Sequence, residues 1–229
     1  KDYVRKDITS NIVVDATTVD INTLGSYEIT YKAVGLANDE STPIKKIVNV
    51  VDTTSPIIKL LGNPTVTHEY GETYVDLGAT ATDNYDININ NKLVTNISAV
   101  NINLVGNYSV TYDVTDSENN PAVQVVRTVQ VVDTTGPVIK LKNSPYQTLL
   151  LGETYQDADD ETDVESVIDR NDGDKISTLS VEILNLKTGI SKHNYNALGL
   201  NKIKFTAEDT SGNETQLIKE VAITKSPDY

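Results

Sequence analysis

Aspartates are the residues of this 229-residue chain whose type and spacing could form a metal-binding site. They gather in two short linkers and in turns that follow hydrophobic stretches. If these turns meet at one end of a folded module, their carboxylates supply the hard oxygen ligands that calcium takes in flexible cages. The alternative is a set of solvated turns, because Asp is an ordinary turn residue. The candidate calcium ligands are Asp52, Asp83, Asp86 and Asp116, followed by Asp133, Asp169, Asp172, Asp174 and Asp209.

One of these turns, residues 169–174, has the sequence Asp-Arg-Asn-Asp-Gly-Asp and resembles a calcium-binding loop. Its glycine stands one place too early for an EF-hand. The turn ends a run, residues 157–174, that holds nine carboxylates in 18 residues. Because so many like charges repel each other, we expect either a solvated loop or a site of cation binding.

Other chemistries have little support in the sequence. The chain has no Cys, which removes disulfides, thiolate zinc sites and thiol nucleophiles. His68 and His193 have no partner motif, and we expect both to be surface or strand residues. No Ser-His-Asp arrangement or phosphate-binding glycine loop is suggested, and nothing places two carboxylates in a cleft for glycoside hydrolysis. We therefore predict that the chain is not an enzyme.

Charge and hydropathy narrow the range of partners. The formal net charge is −14, which disfavours nucleic acid and anionic membranes because both require Lys and Arg on one face. No stretch approaches the roughly 18 apolar residues of a membrane span, so we predict no membrane insertion. The acidic composition fits a surface protein in a calcium-rich setting, and we predict an extracellular or cell-surface location.

Three sequence motifs recur at a constant offset of 81 residues, which indicates tandem modules. They are residues 51–56 and 132–137, residues 71–74 and 152–155, and residues 24–31 and 105–112. The last motif returns near Gly199, 93 residues after its second copy, so the third module carries a 12-residue insertion. We predict an incomplete first repeat (1–52), a complete second repeat (56–133) and a divergent third repeat (137–225).

Within each repeat, apolar residues alternate with polar ones. Tyr108, Val110, Tyr112 and Val114 fall on one face of a predicted strand, which is the pattern of a half-buried antiparallel strand. Roughly 80 residues with about seven short strands is the size of an immunoglobulin-like sandwich. We therefore predict an all-β chain of tandem immunoglobulin-like antiparallel β-sandwiches. Gly106 and Tyr108 also predict a tyrosine corner, in which the hydroxyl group bonds to the backbone nearby.

Three segments carry a resemblance to a known family. Residues 71–83 read Gly-Glu-Thr-Tyr-Val-Asp-Leu-Gly-Ala-Thr-Ala-Thr-Asp, residues 106–116 read Gly-Asn-Tyr-Ser-Val-Thr-Tyr-Asp-Val-Thr-Asp, and residues 131–137 read Val-Val-Asp-Thr-Thr-Gly-Pro. They resemble the bacterial immunoglobulin-like repeats of surface proteins, S-layer-like proteins and one class of pesticidal crystal toxin. The last two segments are also similar to hyalin-type repeats. The resemblance implies a spacer or display module.

The first repeat lacks counterparts of residues 56–81, which would supply the first two strands and cover the core. We expect either a chain that belongs to a longer array or a strand donated by a neighbouring chain. Gly35 stands where Asp116 and Asp209 stand in the other repeats, so no cation is expected in the first repeat.

Three functions follow from these features. The short linkers that end in Pro predict a stiff structural spacer, with calcium at the module junctions. The inserted acidic loops of the third repeat predict an adhesin-type module for glycan or protein, because binding functions concentrate in loops. The open first repeat predicts a fibre subunit that assembles by strand donation.

Overall fold

Short β-strands make up most of the described chain in a computed structural model of the protein. The structure describes residues 9–35, 39–150, 163–185 and 198–225. Single turns of 3-10 helix lie at Thr9–Asn11, Ile89–Lys92 and Ile176–Thr178. The strands are β1 (Ile12–Asp15), β2 (Gly25–Ala33), β3 (Ile44–Val50), β4 (Ile57–Leu60), β5 (Thr65–Glu69), β6 (Ala79–Thr82), β7 (Val94–Asn96), β8 (Gly106–Asp113), β9 (Val125–Val132), β10 (Val138–Leu141), β11 (Tyr146–Leu150), β12 (Val164–Asp169), β13 (Gly173–Asp174), β14 (Ser180–Asn185), β15 (Gly199–Glu208) and β16 (Glu214–Thr224).

The second repeat contains two sheets. β4 pairs with β6, and a four-stranded sheet has the order β5-β9-β8-β7. β5 runs parallel to β9, with Thr65 opposite Thr128. Short strands divided between two sheets are the arrangement of an immunoglobulin-like sandwich, so the predicted fold class is confirmed.

The third repeat has the strand arrangement of the second repeat with one added strand, β13. β12 pairs with β10 and β13, and the second sheet has the order β11-β16-β15-β14. β11 is parallel to β16, whereas β15 is antiparallel to both β14 and β16. The repeated sequence therefore gives a repeated topology, including the parallel pairing of an early strand with the last one.

Alternate residues of the long strands are buried, as their period of two predicts. In β8, Val110 and Tyr112 are fully buried. In β15, Ile203 and Phe205 occupy equivalent positions and pack in one cluster with Val221 of β16. Each fully buried side chain of this size stabilises the fold by about 1.5–3 kcal/mol.

The last strand of each complete repeat also buries a basic side chain. Arg127 of β9 donates to Asp76 Oδ1 at 2.5 Å and to the Asn63 carbonyl oxygen at 3.1 Å. Lys219 of β16 donates to Asp163 Oδ2 at 2.6 Å, and both side chains are almost fully buried. Pairing and hydrogen bonding offset the desolvation of these charges, and loss of one partner would leave the other uncompensated.

The acidic run of residues 157–174 is described from Asp163 onward. Eight of the twelve residues 163–174 lie in strands β12 and β13. Asp163 pairs with buried Lys219, and Glu165 pairs with Lys140 at 2.9 Å. Basic side chains therefore neutralise two of the charges that were expected to repel each other.

The tyrosine corner forms where the sequence predicts it. The Tyr108 hydroxyl group donates to the Leu104 carbonyl oxygen at 2.7 Å. The first repeat has the same bond, from Tyr27 to the Thr23 carbonyl oxygen at 2.7 Å. Asn201 stands at the corresponding place in the third repeat and is buried, so that repeat has no tyrosine hydroxyl group at this position.

The first repeat is a three-stranded sheet in the order β1-β2-β3. Within residues 9–35 and 39–51, no side chain whose exposure is described is buried. Val13 and Val14 of β1 are 54% and 53% exposed, and Ile44 and Ile47 of β3 are 70% and 58% exposed. The predicted exposure of apolar residues in this repeat is therefore observed among the described residues.

The chain forms two compact units. One comprises residues 1–59, 79–94 and 112–125, and the other comprises residues 60–78, 95–111 and 126–229. The repeat boundaries 1–52, 56–133 and 137–225 stay a prediction. The predicted insertion falls largely on residues 151–162 and 186–197, which lie outside the described residues, as does His193.

Candidate metal centres

Three of the predicted aspartates converge around the linker that precedes the second repeat. Carboxylate oxygens of Asp52, Asp83 and Asp116 all lie within 4.8 Å of one another. Asp52 and Asp116 are buried and Asp83 is half-buried. The three residues, which belong to one compact unit, form the first cluster.

Local turns hold the first cluster in place. Asp83 follows β6, and its Oδ1 accepts two backbone N–H groups of the next turn, both at 2.9 Å. Asp116 lies in the loop after β8, where its Oδ1 accepts the Asn120 N–H group and its Oδ2 accepts Asn120 Nδ2, both at 2.7 Å. Asn120 Nδ2 also donates to the Asp52 carbonyl oxygen at 3.2 Å, which ties the linker to this loop.

Two oxygens of the first cluster, Asp52 Oδ2 and Asp83 Oδ2, are buried without a hydrogen-bond donor. Asp52 Oδ1 accepts hydrogen bonds from the Thr54 N–H group at 3.0 Å and from Asn84 Nδ2 at 3.4 Å. A buried acceptor without a partner costs about 1–3 kcal/mol, and more when it is charged. Two such oxygens inside one acidic cluster lie where a water molecule or a cation could satisfy them.

Asp86 lies next to the first cluster but outside it. Its carboxylate accepts the Ser117 N–H group at 2.7 Å, the Ser117 hydroxyl group at 2.8 Å and Lys92 Nζ at 3.1 Å. The Ser117 hydroxyl group, followed by Lys92, holds the pKa of Asp86 below its ordinary value. Asp86 therefore joins the two loops that carry Asp83 and Asp116.

A second cluster lies at the linker that precedes the third repeat and differs from the first in one member, because it contains the counterpart of Asp86 instead of that of Asp116. Carboxylate oxygens of Asp133, Asp169 and Asp172 all lie within 4.8 Å of one another, within the other compact unit. Asp169 ends β12 and is 3% exposed. Its Oδ1 accepts two backbone N–H groups at 2.8 Å, as Asp83 does in the first cluster.

The remaining predicted ligands of the third repeat, Asp209 and Asp174, are not among the members of the second cluster. Asp209 is buried, and its Oδ2 accepts Asn213 Nδ2 at 2.7 Å. Asn213 Nδ2 also donates to the Asp133 carbonyl oxygen at 3.2 Å. Asp174 is exposed and accepts the Ile176 N–H group at 2.9 Å. The Asn213 contacts match those of Asn120, so both linkers are tied to the following repeat in the same way.

The carboxylates of the second cluster have contrasting electrostatic surroundings. Burial, and then the charge of Asp169, raises the pKa of Asp133 above its ordinary value. The hydroxyl and N–H groups of Thr210, and then Lys175, lower the pKa of Asp172 to about 2. Lys175 Nζ lies 3.0 Å from Asp172 Oδ2. The like charges around Asp133 therefore destabilise the ionised cluster, and a cation would relieve that repulsion.

Both clusters fit a hard divalent cation. All their ligand atoms are carboxylate oxygens, which calcium and magnesium take and which zinc uses less readily than His or Cys. Opposite ligands of a calcium ion with bonds of about 2.3–2.6 Å lie roughly 4.6–5.2 Å apart. Oxygens within 4.8 Å of one another can therefore share one coordination sphere.

Sequence reasoning missed Asn120 and Asn213. Each binds the aspartate four residues earlier and the carbonyl oxygen of the linker aspartate. The signal was available, because the spacing from Asp116 to Asn120 recurs from Asp209 to Asn213.

Comparison with known proteins assigns one segment of the chain, within the second repeat, to a family. Residues 58–131 match the family model of the bacterial surface protein, Ig-like domain. The predicted resemblance is thereby confirmed for the greater part of the second repeat. A bacterial surface Ig-like domain is a structural or binding module of a surface protein, which is the coarse function that we assign to this stretch.

Two relatives extend the similarity. The chain is 28% identical over 231 residues to an uncharacterized 81.3 kDa protein of Acholeplasma phage L2, covering 99% of this chain and 30% of that protein. It is 32% identical over 136 residues to hyalin of Strongylocentrotus purpuratus, covering 57% of this chain and 11% of hyalin. The chain therefore spans less than a third of the length of either relative.

A solved structure that contains the M60 catalytic domain with the CBM51-1 and CBM51-2 domains of Clostridium perfringens ZmpB is also similar. It matches 92% of this chain and 34% of that chain, with a TM-score of 0.47 and 12% identity. Among the residues described for the present chain, no helix combines the length and apolarity needed to cross a membrane. The absence of enzymatic activity stays a prediction.

Proposed function

We propose that the chain is a spacer segment of a bacterial cell-surface protein, in which calcium ties each Asp-containing linker to the loops of the repeat that follows. The observation that carries the proposal is the pair of buried, unpartnered oxygens Asp52 Oδ2 and Asp83 Oδ2 inside the first cluster. A divalent cation there neutralises charge on three carboxylates and joins the linker to two loops of the second repeat.

The recurrence of the arrangement supports this proposal. Asp52 and Asp133 occupy the same place in the two linkers, and each cluster adds carboxylates from the loop that begins at Asp83 or Asp169. The match of residues 58–131 to a bacterial surface Ig-like domain supports the location and the non-catalytic role.

Thermal unfolding of the full chain by calorimetry, in calcium and in chelator at matched ionic strength, tests the calcium site. A ligand that binds the folded state at 100 times its Kd stabilises it by about 2.7 kcal/mol, so calcium should raise the Tm. Magnesium prefers shorter bonds and rigid octahedral geometry, so it should raise the Tm less. An identical Tm in calcium and in chelator would contradict the proposal.

Strand donation into the first repeat is a second candidate function. It is favoured by the exposed apolar residues of β1 and β3 and by the pairing of β9 and β16 with parallel strands in the other repeats. Sedimentation of the full chain should then detect dimers or fibres that dissociate when a peptide of residues 56–70 is added. A monomer at every concentration would contradict this second function. The adhesin hypothesis stays a prediction, because the insertion that motivates it lies outside the described residues.

A further inference from the structure

The second linker, residues 133–137, is held by the second repeat through Glu69 at the end of β5. Thr134 donates its N–H group to Glu69 Oε1 at 3.1 Å and its hydroxyl group to Oε2 at 2.6 Å. The Thr135 hydroxyl group donates to Glu69 Oε1 at 2.8 Å. Hydrogen bonds to an ionised carboxylate are about twice as strong as neutral ones, so these three bonds hold the linker strongly against the end of β5.

The same linker is held from the other side by the third repeat. Asn213 Nδ2 donates to the Asp133 carbonyl oxygen and the Ser211 hydroxyl group to Asp133 Oδ2, both at 3.2 Å. Gly136 packs so closely that an added Cβ would lie 2.7 Å from Thr215 Oγ1. Pro137 is buried and fixes its own backbone angle. A change of angle at this linker therefore requires several contacts to break together.

A second contact between the two repeats does not involve the linker. Arg170, in the turn after β12, donates to the Glu72 carboxylate and to the Tyr70 carbonyl oxygen, the latter at 3.5 Å. Gly71 has a φ of +71°, and a Cβ there would lie 2.9 Å from Arg170 Cδ. The Tyr70 N–H group donates to the Val132 carbonyl oxygen at 2.7 Å, which anchors the receiving turn to the end of β9.

The first linker has only half of these contacts. Asn120 binds the Asp52 carbonyl oxygen just as Asn213 binds that of Asp133. Thr53 and Thr54 are exposed, and within the described residues neither hydroxyl group bonds to another repeat. The linkers share the sequence Asp-Thr-Thr, so the difference lies in the surface that receives them.

We propose that residues 69–72 of the second repeat form a docking surface for the linker and the Arg170 turn of the third repeat, and that this surface holds the joint in one geometry without a cation. The inference rests on the proposed spacer role but not on its calcium sites. Glu69 and Arg170 are the residues that fix the joint, and Gly71 provides the space for the Arg170 side chain.

The absence of Cys makes the joint accessible to site-directed spin labelling of the full chain. Leu104→Cys and Ile218→Cys place labels at residues that are 59% and 44% exposed, one in each repeat. Electron–electron double resonance should give an equally narrow distance distribution in chelator and in calcium. Adding Glu69→Ala and Arg170→Gln should at least double its width, and the milder Glu69→Gln should widen it less. The matched control Glu182→Ala, whose carboxylate pairs with Lys204 at 3.7 Å, should leave the width unchanged.

The outcomes separate this inference from the calcium proposal. A distribution that is narrow only in calcium would overturn the inference and support the calcium sites. A folded double variant, checked by circular dichroism, with the wild-type width would also overturn the inference. A narrow distribution in chelator, together with no calcium effect on Tm, would support the joint and refute the calcium sites.

Discussion

Replacing Asp52 by Asn should stabilise the second repeat in chelator and should abolish most of the stabilisation that calcium gives to the wild-type chain. Without a cation, Asp52 takes part in two of the three carboxylate pairs of the first cluster. The amide that Asp52→Asn introduces removes that repulsion, and its N–H group can donate to the unpartnered Asp83 Oδ2. With calcium, the same change removes one charged ligand.

The expected size of the effect follows from the geometry. Two unit charges 4.8 Å apart repel by about 0.9 kcal/mol at the dielectric constant of water and by about 3.5 kcal/mol at an effective constant of 20. A net hydrogen bond adds about 1 kcal/mol. We expect Asp52→Asn to stabilise the repeat by about 1–3 kcal/mol in chelator. The gain of about 2.7 kcal/mol that calcium at 100 times Kd gives to wild type should largely disappear in the variant.

Native-state hydrogen exchange of the Val110 and Tyr112 amides is the suitable assay. Both residues are fully buried in the second repeat, so their slowest exchange reports on that repeat without interference from the others. Asp113→Asn is the matched control, because Asp113 binds Gln124 outside the cluster. Its effect should stay within about 0.5 kcal/mol in both conditions. Lower stability of Asp52→Asn in chelator would refute the reasoning, because the unpartnered oxygen would then carry no penalty.

Three further predictions concern other contacts. Lys219→Met should destabilise the third repeat by about 3–5 kcal/mol in thermal unfolding, because it leaves the charge of Asp163 buried and uncompensated. Adding Asp163→Asn to this variant should recover most of the lost stability. Because the pKa of Asp172 is lowered, the contribution of its ionised carboxylate to stability is complete above its ordinary pKa of 3.8 and is lost as the pH falls toward about 2. Thr210→Val should reduce the stability that is lost over this pH range, as measured by urea unfolding at successive pH values. A variant with the wild-type pH profile would contradict this prediction. Tyr108→Phe should cost about 0.5–1.5 kcal/mol in urea unfolding through loss of its 2.7 Å hydrogen bond, and an unchanged midpoint would show that the corner contributes nothing.

Much of the fold could be predicted because the sequence repeats itself and alternates in polarity. The burial of Val110 and Tyr112 and the tyrosine corner at Tyr108 followed from local pattern alone. The buried Arg127 and Lys219 did not, although the period of two places both on the inward face of their strands. Their partners lie 51 and 56 residues away in sequence, so only the tertiary structure brings each pair together.

The candidate sites were predictable in outline and not in membership. Shared topology brings linker and loop aspartates to one end of each repeat, and six of the nine predicted residues form the two clusters. Asp86, Asp174 and Asp209 are not in these clusters. Ser117 and Lys92 bind the Asp86 carboxylate, the Ile176 N–H group binds that of Asp174, and Asn213 binds that of Asp209. Side-chain partners of this kind depend on loop conformation, which alternation of polarity does not specify. The assignment of calcium to these residues stays a prediction.

Isothermal titration of the full chain with calcium tests the central claim most directly. The two clusters predict saturable binding at two sites, one of which disappears in Asp52→Asn and the other in Asp133→Asn. Wild-type chain that takes up no calcium, or that binds it equally well after both substitutions, would contradict the account.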